Sequence, residues 1–148
     1  MKILKRIFPV LGLLVACNFN HQTEDKNFYE PVEIKPDHKY EEIKEYEIMR
    51  ETMFDVGVVS YYVYFYSTTC NHCDEIKNFM IEKALEREDV YFVKGSSKDK
   101  ITNNEKLLIG AENPENFYIL GYPTLALIRN KKCVKNLAGI NKIQQELK

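Results

Sequence analysis

The sequence predicts an α/β domain with a central mixed β-sheet flanked by helices, on three observations. Tyr61-Tyr62-Val63-Tyr64-Phe65-Tyr66 is apolar or aromatic on both faces, as in a strand buried centrally in a sheet. Ile76, Phe79, Met80 and Ala84 follow at helical spacing and Val90-Tyr91-Phe92-Val93 reads as the next strand, so the three segments make a β-α-β unit with a right-handed crossover. Residues 125–128 and 133–137 form an antiparallel pair turning at Asn130-Lys131-Lys132, which makes the sheet mixed.

The remaining elements follow from local signals. Residues 17–36 are polar and charged, carry Pro31 and Pro36, read as a tether, and leave room for a short strand at 32–34. Asp37 is placed to cap a helix running through Tyr40, Ile43, Glu47 and Met53, which Asp55-Val56-Gly57 then breaks. Residues 95–104 are a polar loop, and Lys94, Lys98, Lys100 and Lys106 read as solvated charge. A short helix at 105–109 and another from Pro114, capped by Asn113, lead into Gly121-Tyr122-Pro123-Thr124. Ile140, Ile143 and Leu147 mark a terminal helix, with Asn141 and Gln144 spaced for a capping box. His21 and His38 read as solvated, and the ten tyrosines as strand and core packing.

The chemistry is concentrated in Cys70-Asn71-His72-Cys73, at the junction of the aromatic strand and the amphipathic helix. Ser67, Thr68 and Thr69 offer hydroxyl caps, so Cys70 falls at or beside a helix N-terminus, where free N–H groups and the dipole favour a thiolate. The thiolate is the species that attacks a disulfide. His72 adds positive charge or an N–H donor, whereas Asp74 and Glu75 oppose a thiolate unless they point to solvent. Two bland readings compete. Zinc needs two more ligands, and the chain has neither a second C-x-x-C nor an H-x-x-x-H; a structural disulfide would close a tiny loop and constrain little. Cys133 reads as a half-buried structural thiol.

At the N-terminus, Lys2, Lys5 and Arg6 precede a short apolar run from Ile7 to Val15 that is too brief to span a bilayer. The run ends in Leu14-Val15-Ala16-Cys17, which resembles the lipobox of bacterial lipoproteins and implies a signal peptide over 1–16 and lipidation of Cys17. The folded part, 37–148, is therefore expected outside the cytoplasm, lipid-anchored to the bacterial cell membrane, where disulfides persist. Loss of the three basic residues in 1–16 takes the formal net charge from −1 to −4, and nothing suggests nucleic-acid binding.

Taken together, the motifs at 64–73 and at Gly121-Tyr122-Pro123-Thr124-Leu125, with the closing strand-strand-helix, resemble the thioredoxin-like superfamily over residues 32–148. The resemblance implies a thioredoxin fold and thiol-disulfide exchange with protein thiols, without a cofactor or metal, recycled by a redox partner. On matching positions Cys70 would be the nucleophile and Cys73 the resolving thiol. Pro123 would be a cis-proline, with Tyr122 pairing through its backbone with an extended substrate. Two departures stand out: Tyr64 occupies the position of a buried acid, and Thr69 that of a tryptophan. His72 is similar to the histidine of disulfide isomerases and periplasmic oxidants, where a stabilised thiolate makes the disulfide more oxidising. An accessory or binding lipoprotein serving secretion or assembly, with a structural dithiol, is the alternative.

Overall fold

The computed structural model describes residues 36–148. Cys17, the leader, His21 and the short strand at 32–34 lie outside the described residues. Among those described, no helix is long and apolar enough to cross a membrane.

Four strands form one sheet: β1 (Ser60–Tyr66), β2 (Val90–Lys94), β3 (Thr124–Arg129) and β4 (Lys132–Ala138), in the order β2-β1-β3-β4. β1 runs parallel to β2 and antiparallel to β3, and β3 and β4 form an antiparallel hairpin. Helix α1 (Asn71–Glu86) connects β1 to β2, and α2 (Ile140–Glu146) closes the chain. This is the expected α/β arrangement, a mixed sheet flanked by helices.

β1 explains why the layers stack as they do. Alternate side chains on a strand face opposite ways, and here both faces are buried. Tyr64 and Tyr66 pack with Cys73, Ile76, Met80, Ala84, Phe92 and Ile143 on the helical face. Tyr61, Val63 and Phe65 pack with Met53, Phe117, Ile119 and Ile128 on the other. Tyr40 stacks on Tyr66 with ring centroids 4.1 Å apart, and the Tyr66 hydroxyl donates to Glu47.

Several expectations are corrected. The single helix expected from Asp37 to Met53 is instead two 3-10 segments, Tyr40–Tyr46 and Arg50–Thr52. Glu47 bridges Phe92 in parallel, and the Ile48 N–H donates to the Phe92 carbonyl at 2.9 Å. The free edge of β2 thus takes backbone groups that a continuous helix would use internally. Asp37 is no cap; the Lys39 N–H donates to Glu42 at 2.7 Å, and Asp37 lies 3.4 Å from Lys77. His38 is not freely solvated, since its ring lies between Glu42 (2.9 Å) and Glu82 (3.7 Å). The α2 capping box is absent: β4 runs to Ala138, and Gly139, at φ 95°, makes the corner and stands as N-cap without a side-chain partner.

The hairpin between β3 and β4 is tighter than the three-residue estimate. Asn130 and Lys131 both have positive φ (50° and 60°), as a two-residue turn matched to strand twist requires. Cys133 is fully buried rather than half-buried, because residues 108–111, between two further 3-10 turns at Glu105–Leu107 and Pro114–Asn116, lie beside β4 at Cys133. The Cys133 N–H donates to Ala111, the Gly110 N–H donates to Cys133, and the thiol lies 3.4 Å from the Leu108 carbonyl.

The Tyr64 hydroxyl is buried without a hydrogen-bond partner, so it loses hydration and gains nothing in return. Tyr64→Phe is expected to raise the stability of the reduced protein by about 1 kcal/mol. Urea unfolding checks this, and a lower midpoint for Tyr64→Phe would contradict it.

Candidate active site

The turn between β1 and α1 sets the position of the dithiol. The Cys70 N–H donates to Ser67 at 3.2 Å, and the Ser67 and Thr69 hydroxyls lie 3.0 Å apart, so these groups brace the turn. They do not cap the helix as expected. Cys70 does so itself: its sulfur accepts from the Cys73 N–H at 3.2 Å, and its carbonyl accepts from the Asp74 N–H at 3.1 Å. Sulfur therefore occupies the place usually taken by a capping oxygen, against the free donors of the first turn.

The two cysteines are free thiols in unlike surroundings. Cys70 is partly exposed, whereas Cys73 is 1% exposed and belongs to the core beneath α1. Burial, with a further contribution from its hydrogen-bonded partner Cys70, pushes the Cys73 thiol up to about 12. One thiol is thus open to attack a substrate and the other is kept protonated behind it.

A second segment meets this turn from β3. The Tyr122–Pro123 bond is cis, and the Cys70 thiol donates to the Tyr122 carbonyl at 3.5 Å. Pro123 is buried and Tyr122 half-buried. The Thr124 hydroxyl donates to the Gly121 carbonyl at 2.7 Å, which ties the loop to the start of β3. The structure therefore brings Cys70, Cys73, Tyr122 and Pro123 together.

His72 lies in the first turn of α1, largely exposed, with Nδ1 3.4 Å from Glu75. Any influence it has on Cys70 is through charge across solvent, since no hydrogen bond joins the two among the described residues. Asp74 and Glu75 point to solvent, so they oppose a thiolate only weakly. His72, Glu75, Tyr122, Pro123 and residues 138–142 line an open groove of about 590 Å³ beside the dithiol. Cys133 sits in the core on the opposite face of the sheet from Cys73. Among the described residues, no three His, Cys, Asp or Glu side chains cluster to hold a metal ion.

Two contributors escaped the sequence reading. Asp99, placed there in a solvated loop, is 1% exposed in its side chain, faces Arg50 at 3.5 Å and accepts from the Tyr122 hydroxyl. Tyr40 approaches the dithiol from the first 3-10 segment and lines a small cavity with Ser67, Thr68, Cys70, Asp74 and Lys77. A charge in a polar stretch carries no local mark of burial, so Asp99 had no signal in the sequence, and the helical spacing that picked out Tyr40 gave no hint that it reaches the dithiol.

No protein-family model matches the chain, and no curated protein does. Among solved structures, the chain is similar to thioredoxin f2 of Chlamydomonas reinhardtii, at 24% identity and a TM-score of 0.46, over 68% of this chain and 91% of that one. It is similar to the long form of thioredoxin f from spinach chloroplast, at 19% identity and 0.47, over 68% and 81%. It is also similar to mitochondrial thioredoxin 3 of Saccharomyces cerevisiae, at 17% identity and 0.44, over 65% and 80%.

The buried thiols have a consequence for alkaline stability. Burial pushes both Cys73 and Cys133 up from an ordinary 9.0 to about 12. Unfolded thiols release protons that the folded state still holds, so their stabilising effect is complete below pH 9.0 and fades as pH rises toward 12. Cys133→Ala is expected to lower stability at neutral pH through lost packing but to flatten its decline above pH 9.0. Urea unfolding across an alkaline pH series measures both, and an unchanged slope in the variant would contradict the assignment.

Proposed function

We propose that this protein is a thiol-disulfide oxidoreductase acting on protein thiols, tethered outside the cytoplasm by a lipid on Cys17. The observation that carries the chemistry is the asymmetry of the pair: a partly exposed sulfur capping α1 stands in front of a buried thiol held protonated.

In the reducing direction, the Cys70 thiolate attacks one sulfur of a substrate disulfide. A Cys70–substrate bond forms, the substrate S–S bond breaks, and one substrate thiolate leaves with the electron pair. Cys73 then passes its proton to the first released substrate thiolate and attacks the Cys70 sulfur; the Cys70–substrate bond breaks, the second substrate sulfur leaves as a thiolate with the electron pair and takes a proton from solvent, and a Cys70–Cys73 disulfide remains. The substrate gains two electrons and the pair loses two. The oxidising direction is the reverse sequence, and in either case a dithiol- or disulfide-bearing redox partner restores the starting state. No bound cofactor is required.

His72 bears on the direction only through its place in the first turn of α1, where positive charge would favour a thiolate at Cys70 and hence the reduced form. The tether rests on the basic start, the apolar run and Cys17. The polar stretch to residue 36 then separates the anchor from the domain.

Cys70→Ser is expected to abolish insulin disulfide reduction and dithiol oxidation alike, while Cys73→Ser accumulates mixed disulfides with protein thiols. Non-reducing gels and turnover assays check both, and retained turnover in Cys70→Ser would sink the mechanism. For the anchor, Cys17→Ser is expected to move the protein out of the membrane fraction of its host. Unchanged fractionation would remove the tether.

A further inference from the structure

The segment carrying the Tyr122 carbonyl is held from behind by a buried ion pair that the exchange chemistry does not itself use. Asp99 accepts from the Ser96 N–H at 3.0 Å and from the Tyr122 hydroxyl, and it faces Arg50 at 3.5 Å. Arg50, 9% exposed, is fixed in turn: it donates to the carbonyls of Pro114 (3.0 Å) and Phe117 (2.9 Å) and lies over the Phe117 ring. Close against the hydroxyl end of the Tyr122 ring is also the backbone of Gly95. A Cβ on Gly95 would fall 2.5 Å from the Tyr122 ring, and the Gly95 N–H donates to the Tyr66 carbonyl at 2.7 Å. The ring is therefore held at its hydroxyl end by the backbone after β2 and by a carboxylate, while its own carbonyl faces Cys70.

A buried ion pair is weak evidence for stability, because desolvation of both charges offsets their attraction. Its value here is directional. The Ser96 N–H and the Tyr122 hydroxyl converge on one carboxylate oxygen, Arg50 faces the other as a charge contact, and the carboxylate thereby grips a side chain whose backbone borders the reactive sulfur.

We propose that Asp99, held by Arg50, is a positioning residue for the dithiol: by gripping the Tyr122 hydroxyl it fixes the peptide segment against which an extended disulfide-bearing substrate lies. This rests on the thiol-disulfide reading and adds the device that makes Cys70 selective for peptide-borne disulfides over small ones. A small disulfide needs only the sulfur. An extended peptide needs the backbone of Tyr122 held at the right distance and angle.

The test uses the full chain with Cys73→Ser, which stops the reaction at the mixed disulfide. Two reagents are compared: an extended peptide whose cysteine is disulfide-linked to thionitrobenzoate, and free dithiobis-nitrobenzoate. In each case the Cys70 thiolate bonds to one sulfur, the S–S bond breaks, and thionitrobenzoate leaves as a coloured thiolate with the electron pair. Asp99→Asn alone strands the buried Arg50 charge and risks unfolding. The variants are therefore the pair Arg50→Gln with Asp99→Asn, and separately Gly95→Ala, whose Cβ displaces the Tyr122 ring without touching a charge.

The parent is expected to favour the peptide. Both variants are expected to lose on the order of tenfold in peptide rate while the small-disulfide rate stays within about twofold. Equal losses with both reagents, no loss with either, or a parent that does not distinguish them would overturn the proposal. Insulin turnover by the chain with both cysteines is measured alongside. Absent turnover with the selectivity intact removes the oxidoreductase reading and leaves the role of Asp99 standing.

Discussion

The capping of α1 by the sulfur of Cys70 is the interaction on which the site depends. A helix leaves its first N–H groups without intrahelical partners, and here one of them, from Cys73, is given to a sulfur at 3.2 Å. The same geometry fixes everything around it. Cys73 is carried one turn inward to the core, His72 and Asp74 are turned to solvent, and the Cys70 sulfur is left facing the Tyr122 carbonyl. That position exists only because β1 delivers the chain to the start of α1 at a fixed height, and β1 is held by packing on both of its faces.

The tyrosines extend this logic. Tyr40, Tyr64 and Tyr66 form an aromatic layer next to Cys73 on the helical face, with Tyr40 and Tyr66 stacked and the rings of Tyr64 and Tyr66 nearly parallel. Burial, the leading cause for each, raises all three phenols far above their ordinary value. The layer therefore stays neutral and presents no fixed negative charge under the dithiol. A buried acid at the position of Tyr64 would be different in kind, since it would bring a titrating charge to the same place.

Legibility in the sequence followed the range of the interaction. β1, α1 and the place of Cys70 at the helix start were readable because each rests on neighbours in the chain: an aromatic run, a helical spacing, a polar turn; that the Cys70 sulfur itself caps the helix, in place of the hydroxyls before it, was not. The β3–β4 hairpin was readable for the same reason. The break at Glu47 was not, because it arises from a bridge to Phe92, far along the chain. Cys133 read as half-buried since the irregular segment that covers it comes from residues 108–111, which carry no strand pattern. Asp99 was the hardest case. Its burial depends on Arg50 and Tyr122, each distant in sequence, so composition alone made it look like one more loop charge.

The outer rims of the sheet bear on how this molecule behaves in a crowd. An unpaired strand edge is a template for another chain, and proteins that lack closure have to blunt it. Here Ile48 occupies the Phe92 carbonyl on the rim of β2, while Gly110 and Ala111 pair with Cys133 on the rim of β4. Each rim is interrupted by the chain's own irregular segments rather than by charge alone. A neighbouring copy would meet that irregular backbone at Phe92 and at Cys133 rather than an unbroken ladder along either rim.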